Sequence, residues 1–210
     1  MDSEASARRR QAERTRRKLL DSALRRFALE GYGGAKVKEI CGDAGMADGI
    51  LYHYFPDGKQ EMFETIAREE FFRISGAMES WLSETEALPL REALESLLGG
   101  VARGLEEHLG FLKIILRDAE MPPIPECGSF SALMEEKRKW LPRMLEKRAA
   151  GGEIRHMDFE SAAASVIAVI ADHCFIRVSG FGGGVLTDDV RRGRYIDYLC
   201  SIWLKEKENA

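Results

Sequence analysis

Apolar residues recur along the chain every three or four positions, which is the spacing of amphipathic helices. In TRRKLLDSALRRFALE, residues 15–30, one face carries Leu19, Leu20, Ala23, Leu24, Phe27 and Ala28. Gly31 is expected to end this helix, because glycine is often found just past a helix C-terminus. The pattern predicts a second short helix at about 36–43. A third is predicted to begin near Ala47, after a break at Gly45.

From residue 59 onward the pattern predicts helices and no strand. The expected helices are residues 59–82, 90–109, 111–120, 130–150, 159–179 and 188–207, with a loop at MPPIPECGS, residues 121–129. Pro142 is expected to bend the fourth of these helices. Gly99, Gly100 and Gly104 interrupt the second, each at a cost of roughly 1 kcal/mol relative to alanine. They indicate either close packing or room beside a cavity.

The last two predicted helices carry more apolar surface than a single stripe. AAASVIAVIA, residues 162–171, is apolar almost all round, and the final helix presents Tyr195, Ile196, Tyr198, Leu199, Ile202 and Trp203. Such helices have to be covered on more than one side. We therefore predict a homodimer in which helices at about 159–179 and 188–207 form a twofold-symmetric four-helix interface. The alternative is that the chain's own helices cover both sides.

The composition is that of a globular protein. The chain has 210 residues, of which 45% are hydrophobic, enough for a substantial core. It has no run of about 18 uninterrupted apolar residues, and MDSEASARRR lacks the apolar stretch of a secretion signal. We therefore expect a soluble, cytoplasmic protein with no membrane segment. The cysteines, Cys41, Cys127, Cys174 and Cys200, form no CxxC pair and indicate buried thiols; a redox role for Cys127 is the less favoured alternative.

Positive charge is concentrated near the N-terminus. Residues 1–60 hold 12 Lys and Arg against 9 Asp and Glu, whereas the remaining 150 hold 19 against 26. Within residues 8–18, the one acidic residue is Glu13, and seven residues are basic: Arg8, Arg9, Arg10, Arg14, Arg16, Arg17 and Lys18. A basic segment on an otherwise acidic chain indicates a polyanionic partner, or else only a solvated charged tail. Residues 1–14 are expected to form a flexible basic arm.

Residues 15–63 resemble the N-terminal signature of the TetR family of transcriptional regulators. The shared features are an apolar helix, a Gly-Tyr turn, V-x-x-I, A-G, G-x-L-Y-x-Y-F and a following lysine. The resemblance implies an all-α chain, with a three-helix helix-turn-helix DNA-binding domain at 15–58. It implies a larger helical bundle for ligand binding and dimerisation at 59–210. The expected protein is a dimeric repressor that a small molecule releases from a pseudo-palindromic operator in double-stranded DNA.

The same resemblance assigns the DNA contacts. The third helix is the recognition helix, and Gly49 permits a close approach to DNA. Donors to DNA come from Tyr52, His53 and Tyr54, whereas Lys59 is expected to hold a phosphate. The full set of expected DNA-binding residues is Arg14, Arg16, Lys36, Ala47, Asp48, Gly49, Ile50, Tyr52, His53, Tyr54 and Lys59.

Several positions depart from the family pattern. Ala35 and Lys36 replace the usual hydroxyl residues at the second helix, so a capping hydroxyl is absent and a cationic group that can hold a phosphate is present. Asp48 is expected either to act as a displaced N-cap or to accept a hydrogen bond from a cytosine amino group. Ile50 is either an exposed apolar residue or a contact for a thymine methyl group. We expect the basic arm to supply the phosphate contacts that these positions lack.

Candidate effector contacts follow from amphipathic position, although such residues are more often plain core: Phe71, Met78, Trp81, Phe111, Trp140, His173 and Phe175. Their character indicates an apolar or aromatic effector. Adjacent residues on a helix point about 100° apart, so Asp172, His173 and Cys174 cannot all grip one ion, and we expect neither metal nor cofactor. Without a phosphate loop or nucleophile elbow, no catalytic residue is assigned. The alternatives are a helical interaction module that has lost DNA binding and, less favoured, an enzyme in the helical domain.

Overall fold

The protein is represented by a computed structural model that describes residues 2–117 and 125–205, with side chains undescribed at 2–4, 117 and 125–134. The described residues form nine α-helices: α1 (Asp2–Gly34), α2 (Val37–Asp43), α3 (Asp48–Tyr54), α4 (Lys59–Glu86), α5 (Leu90–Glu107), α6 (Leu109–Arg117), α7 (Pro125–Ala150), α8 (Phe159–Ser179) and α9 (Asp189–Trp203). No strand occurs among them, and one isolated bridge joins Ile154 to Leu204. The all-α fold class is confirmed.

The chain divides into two compact units. The first comprises Met1–Phe72 and Gly110–Cys127, and the second comprises Arg73–Leu109 and Gly128–Ala210. Helix α4 therefore contributes residues to both units. The domain bounds expected from the sequence, 1–14, 15–58 and 59–210, are functional divisions and stay predictions.

The core of the first unit forms where α1, α2, α3 and the start of α4 meet. Its fully buried side chains include Leu19, Phe27, Ile40, Leu51, Phe55 and Phe63. These are apolar positions that the helical periodicity placed on inward faces, whereas Leu24 and Ala28 of the expected α1 face are half-exposed. The buried hydroxyl of Ser22 donates to the Ile40 carbonyl at 2.9 Å, which ties α1 to α2.

Helix α1 differs from the expected first helix at both ends. It begins at Asp2, so the described residues of the predicted flexible arm are helical in the structure. At the other end Gly31 has φ 79° and ψ 164°, which interrupts the helix where the sequence predicted its end. Glycine tolerates such a positive φ because it has no Cβ atom.

The second unit has its own core, built mainly from α5, α7, α8 and α9. The fully or nearly fully buried side chains include Leu94, Leu98, Leu145, Val166, Leu199 and Trp203. Helix α7 begins at Pro125, so residues 125–129 are helical where a loop was expected; residues 121–124 of that loop and the Cys127 side chain lie outside the described residues. Pro142 lies inside α7, as predicted.

The α5 glycines make room for an indole ring. A Cβ atom at Gly100 would lie 3.0 Å from Trp81 Cδ2, and one at Gly104 would overlap Trp81 Cη2. Of the two explanations that the sequence left open, the structure therefore supports close packing for Gly100 and Gly104, whereas Gly99 lines a cavity. Trp81, expected as an effector contact, is half-buried against this glycine surface.

Replacing Gly104 with alanine is expected to destabilise the protein, although alanine is the better helix former. The added Cβ atom overlaps Trp81, and overpacking of this kind costs about 1–3 kcal/mol, more than the helix gain of about 1 kcal/mol. Gly76 is the matched control, because a Cβ atom there would meet nothing within 4 Å. In urea unfolding, Gly76→Ala should stabilise the protein and Gly104→Ala should destabilise it. Equal stabilisation by both would contradict the packing account.

Helices α8 and α9 and the loop between them expose much apolar surface. The side chains of Phe175, Phe181, Val190 and Tyr198 are 60%, 64%, 65% and 59% exposed. Along α8 the exposed positions 164, 168, 171 and 175 follow one another at helical spacing. Within the described part of the chain, α8 is also the helix long and apolar enough to cross a membrane, a property that core helices of soluble proteins share. This surface is therefore one that another protein surface could cover.

Candidate nucleic-acid interface

A tight turn connects α2 to α3. The Met46 N–H donates to the Cys41 carbonyl at 2.9 Å, and the Gly45 N–H donates to the Gly42 carbonyl at 3.0 Å. This pair of hydrogen bonds defines a Schellman motif, whose left-handed position is Gly45, with φ 72°. The motif ends α2 within one residue and allows α3 to begin at Asp48.

Helix α3 has one buried side and one exposed side. Leu51 and the following Phe55 are fully buried and anchor the helix to the core of the first unit. The opposite side exposes Ala47, Asp48, Gly49, Ile50, Tyr52 and His53, whereas Tyr54 is half-buried. The structure thus brings most of the expected recognition-helix residues together on one accessible surface.

Asp48 does not occupy the capping position that was one of its two expected roles. Ala47 is the N-cap residue of α3 and has no side-chain oxygen, so no side-chain cap forms. Asp48 is the first helical residue, where its carboxylate meets the positive end of the helix dipole, an interaction of roughly 0.3–1 kcal/mol. Its side chain is exposed and accessible to a partner.

Gly58 sets the position of Tyr52. Its φ is 64°, and a Cβ atom built there would lie 3.2 Å from Tyr52 Cε1. The Tyr52 ring therefore packs directly over the backbone of the PDGK turn while the side chain remains 55% exposed. Sequence reasoning did not single out Gly58. The Asp-Gly pair in the turn, which favours a left-handed glycine, was the available signal.

The second helix also starts without a side-chain cap. Lys36 is its N-cap residue and forms no capping hydrogen bond, as expected from the missing hydroxyl. The Lys36 side chain is 76% exposed, and its Nζ lies 4.0 Å from Glu39 Oε1. An exposed ion pair of this length is weak, so the ammonium group can reach a phosphate.

Lys59 is engaged within the protein. Its Nζ donates to the carbonyls of Tyr32 at 2.7 Å and Ala35 at 3.2 Å, and lies 3.5 Å from the Gly33 carbonyl. The same atom is 4.5 Å from the centre of the Tyr32 ring. The expected phosphate-binding lysine thus holds the turn between α1 and α2, because the carbonyls left unpaired at the end of α1 need donors.

A Lys59→Met variant is expected to lose roughly 1–3 kcal/mol of stability, because the carbonyls around its ammonium group lose their donor. If Lys59 does not touch DNA, the salt dependence of DNA binding should be unchanged. Lys36→Met is the control with the opposite expectation. Its stability should be unchanged, and the slope of log K for DNA binding against log salt should be smaller by about 0.9 for each phosphate that is no longer contacted. Urea unfolding and fluorescence anisotropy with DNA at several salt concentrations would measure both. A slope reduced by Lys59→Met with no loss of stability would contradict this role.

Two of the basic residues of α1 are also engaged internally. The Arg16 guanidinium carbon lies 5.0 Å from the centre of the Phe55 ring, and Arg16 Nη1 is 3.8 Å from Glu69 Oε1. Arg17 lies 2.9 Å from both Glu69 and Asp21. Arg16, an expected DNA contact, is therefore half-buried in intramolecular contacts. Exposed side chains at helical spacing, on the side of α1 opposite Arg16, form a basic ridge: Arg10, Arg14, Lys18 and Arg25.

An ion-pair network fixes α1 to α2. Arg26 forms a bidentate pair with Asp43, at 2.6 Å and 2.8 Å, and donates to Glu30 at 2.6 Å. The hydrogen bond from Arg26 lowers the pKa of Asp43, and the hydrogen bonds to Asp43 and Glu30 raise the pKa of Arg26. Sequence reasoning missed this pair, because neither residue lies on an apolar pattern.

Among the described residues, two of the expected effector contacts, Trp140 and His173, line two different cavities. Phe71 and the buried Phe111 belong to the first unit, whereas the remaining five belong to the second. There, half-buried Trp140 lines a cavity of about 660 Å³ near the ends of α4 and α7, and His173 lines another of about 570 Å³. Phe175 is exposed and its ring centre lies 6.1 Å from that of Phe181, while Met78 is half-buried.

Two cavities in the second unit differ in their charged groups. Beside Trp140, buried Arg148 donates to the Thr85 and Leu88 carbonyls at 2.9 Å and 2.7 Å and to Glu153 at 2.6 Å. Those contacts hold the junction between α4 and α5. The cavity at His173 is lined by three arginines and two acidic residues. Burial, followed by the charge of Arg177, lowers the pKa of His173 and favours its neutral form.

Among the described residues, no group of three His, Cys, Asp or Glu is placed to hold a metal ion.

Comparison with known proteins places this helix-turn-helix in a family. Residues 19–66 match the sequence model for bacterial regulatory proteins of the tetR family. The transcriptional repressor KstR2 of Mycolicibacterium smegmatis is 28% identical over 141 residues, which cover 67% of this chain and 67% of that protein. Matches to three Bacillus subtilis regulators span between 25% and 58% of the length of those proteins.

Solved structures extend the likeness to the fold of nearly the whole chain. The ketosteroid transcriptional regulator KstR2 of Mycobacterium tuberculosis matches with a TM-score of 0.67 and 22% identity, over 91% of this chain and 95% of that one. FadR of Bacillus subtilis, in complex with stearoyl-CoA, matches with a TM-score of 0.59 and 18% identity, over 88% and 97%. Residues 19–66 thus carry the helix-turn-helix sequence of the tetR family, and the relatives and solved structures named here are transcriptional regulators.

Proposed function

We propose that the protein binds operator DNA as a homodimer and represses transcription until a small molecule binds. The observation that carries this proposal is one side of α3, where Asp48, Ile50, Tyr52 and His53 are exposed while Leu51 is fully buried. A short helix fixed at its back and accessible at its front suits insertion into the major groove. The relatives named as repressors support the direction of regulation.

Within this proposal the DNA contacts fall into two groups. Ala47, Asp48, Gly49 and Ile50 meet base edges, with Asp48 accepting from a cytosine amino group and Ile50 meeting a thymine methyl group. Phosphates are held by Arg14, Lys36, Tyr52, His53 and Tyr54, and by the other exposed residues of the basic ridge. Arg16 and Lys59 support the helices from within. Residues 15–58 then read DNA, and residues 59–210 bind ligand and dimerise.

The exposed surface of α8 and α9 supports the dimer. Small residues on α8, at 164, 168 and 171, allow a partner helix to approach closely, and Phe175 and Tyr198 supply large apolar contacts. A second copy of the same two helices covers this surface by twofold symmetry and forms a four-helix interface. Covered in this way, α8 belongs to a soluble, cytoplasmic protein.

The effector proposed for this protein is a small molecule with a substantial apolar part. The structurally similar FadR is described in complex with stearoyl-CoA, and the similar KstR2 is described as a ketosteroid regulator. The candidate contacts in the second unit, Met78, Trp81, Trp140, His173 and Phe175, suit such a molecule only in part, because Trp140 and His173 line different cavities. Effector and operator are proposed to bind antagonistically through two states of the dimer.

Selection of bound duplexes from a random DNA library tests the reading of DNA directly. The selected sequences should contain two inverted half-sites about one helical turn apart. With Asp48→Asn as the selecting protein, the base preference should change at one position of each half-site, whereas Lys38→Gln should select the parent sequence. Recovery of no shared sequence would instead favour a helical module that binds another protein.

A further inference from the structure

The cavity that His173 lines lies between three helices of the second unit. Gly99, Ala102, Arg103 and Glu106 come from α5, His173 and Arg177 from α8, and Asp189 and Arg192 from the start of α9, with Leu186 and Thr187 before it. Its volume of about 570 Å³ is within the range of small-molecule sites. Leu186, only 1% exposed, provides a buried apolar wall.

Two guanidinium groups converge above Gly99. The position that a Cβ atom of residue 99 would occupy lies 3.3 Å from Arg103 Nη1 and 3.8 Å from Arg192 Nε. Glycine at this position leaves the space between the two groups open. Like charges that converge in this way repel each other unless an anion lies between them.

The positive charges of this cavity are only partly neutralised. Arg177 forms an ion pair with Glu106, and its Nη2 donates to the Glu106 carboxylate at 2.7 Å. Arg192 donates to Asp189 at 2.6 Å, but the Arg192 side chain is 14% exposed and the Asp189 side chain is 91% exposed. Arg103 forms no hydrogen bond or ion pair with another described residue. Three arginines against two carboxylates leave a surplus of one positive charge, which suits a monoanion.

A buried donor or acceptor also lacks a partner here. His173 is 2% exposed, and its Nδ1 has no hydrogen-bond partner among the described residues. Buried polar atoms nearly always have a partner, and one without a partner costs about 1–3 kcal/mol. The unpartnered His173 Nδ1 lies in the same cavity as the two converging guanidinium groups, which indicates a binding site for a polar ligand.

We propose that this cavity binds the carboxylate of a small organic acid, held between Arg103 and Arg192, with the rest of the acid against Leu186 and Ala102. Arginine suits this role because its planar fork of N–H groups pairs with the two oxygens of a carboxylate. The proposal that the cavity binds a carboxylate does not depend on whether the chain binds DNA. The proposal that this carboxylate belongs to the effector rests on the proposed function.

Calorimetric titration of the full chain with acetate, benzoate and octanoate tests the site, with benzyl alcohol and octanol as neutral analogues. At least one acid should bind about tenfold or more tightly than its alcohol. Arg103→Gln should weaken that acid about tenfold or more, whereas Arg138→Gln, on the surface of α7, should bind like the parent. Gly99→Ala fills the space between the guanidinium groups without a charge change, so it should also weaken binding while preserving the fold.

Three results would overturn the site: no acid bound more tightly than its alcohol, equal binding by parent and Arg103→Gln, or tight binding of inorganic phosphate alone. Melting temperatures of the free variants identify any that fail to fold. Operator affinity measured with and without the bound acid is a separate readout. If an acid binds at this cavity but leaves operator affinity unchanged, the binding site is supported, and its proposed role in holding the effector is contradicted.

Discussion

The Tyr198→Glu substitution is expected to convert the protein into monomers and to abolish tight operator binding. Tyr198 is 59% exposed on α9, and the proposed twofold interface buries it against the same surface of a second copy. A carboxylate in that position is desolvated without a partner, and twofold symmetry brings two of them into the same interface. The dimer dissociation constant should rise about a hundredfold or more, which corresponds to about 2.7 kcal/mol.

Sedimentation velocity over a range of protein concentrations would measure this shift, and DNA binding should fall with it, because a monomer holds one half-site only. Phe175→Glu on α8 should act in the same way. Leu29→Glu is the matched control, since Leu29 is 76% exposed on α1 and lies outside the proposed interface. A dimer that survives both Tyr198→Glu and Phe175→Glu would place the interface elsewhere.

Replacing Arg8, Arg9, Arg10 and Arg14 with glutamine is expected to weaken operator binding strongly and to flatten its salt dependence. These residues lie on the helical extension of α1, and glutamine preserves helix propensity while removing the charge. The slope of log K against log salt should fall by about 0.9 for each phosphate that the variant no longer neutralises. This substitution is a sharper test than deletion of residues 1–14, because the structure makes the segment part of a helix.

A second charge-removing variant separates local contact from net charge. Lys137→Gln, Arg138→Gln and Lys139→Gln together remove three positive charges from α7, where no DNA contact is proposed. If Arg8, Arg9, Arg10 and Arg14 touch phosphates, the α1 variant should change the slope of log K against log salt, and the α7 variant should leave that slope nearly unchanged. Equal effects from the two variants would show that only total charge matters.

The apolar periodicity of the sequence was sufficient to predict the helices and most of their buried faces. The α8 bounds, Phe159–Ser179, agree with the predicted helix, and Leu51 and Phe55 lie in the core where the pattern placed them. Periodicity succeeds here because burial of one face is the main energetic requirement of each helix. The start of α1 was missed because residues 2–14 are polar all round, and such a segment has no apolar face to detect.

The roles of side chains that contact residues distant in the sequence could not be predicted in the same way. Lys59 approaches Tyr32 and Ala35 across more than twenty residues, and the convergence of Arg103 and Arg192 requires two separate helices. No local pattern encodes such meetings. The role of Asp48 was also not predictable from the sequence. A shift of one residue in the start of α3 decides whether its carboxylate caps the helix or faces outward.

The most direct test of the proposed function compares two dissociation constants for the parent protein at one salt concentration. One duplex carries the DNA upstream of the protein's own coding region, and the other is a scrambled duplex of the same length and composition. A sequence-reading dimer should bind the upstream duplex about a thousandfold or more tightly than the scrambled one. Equal affinity for the two duplexes, or no binding to either, would contradict the account.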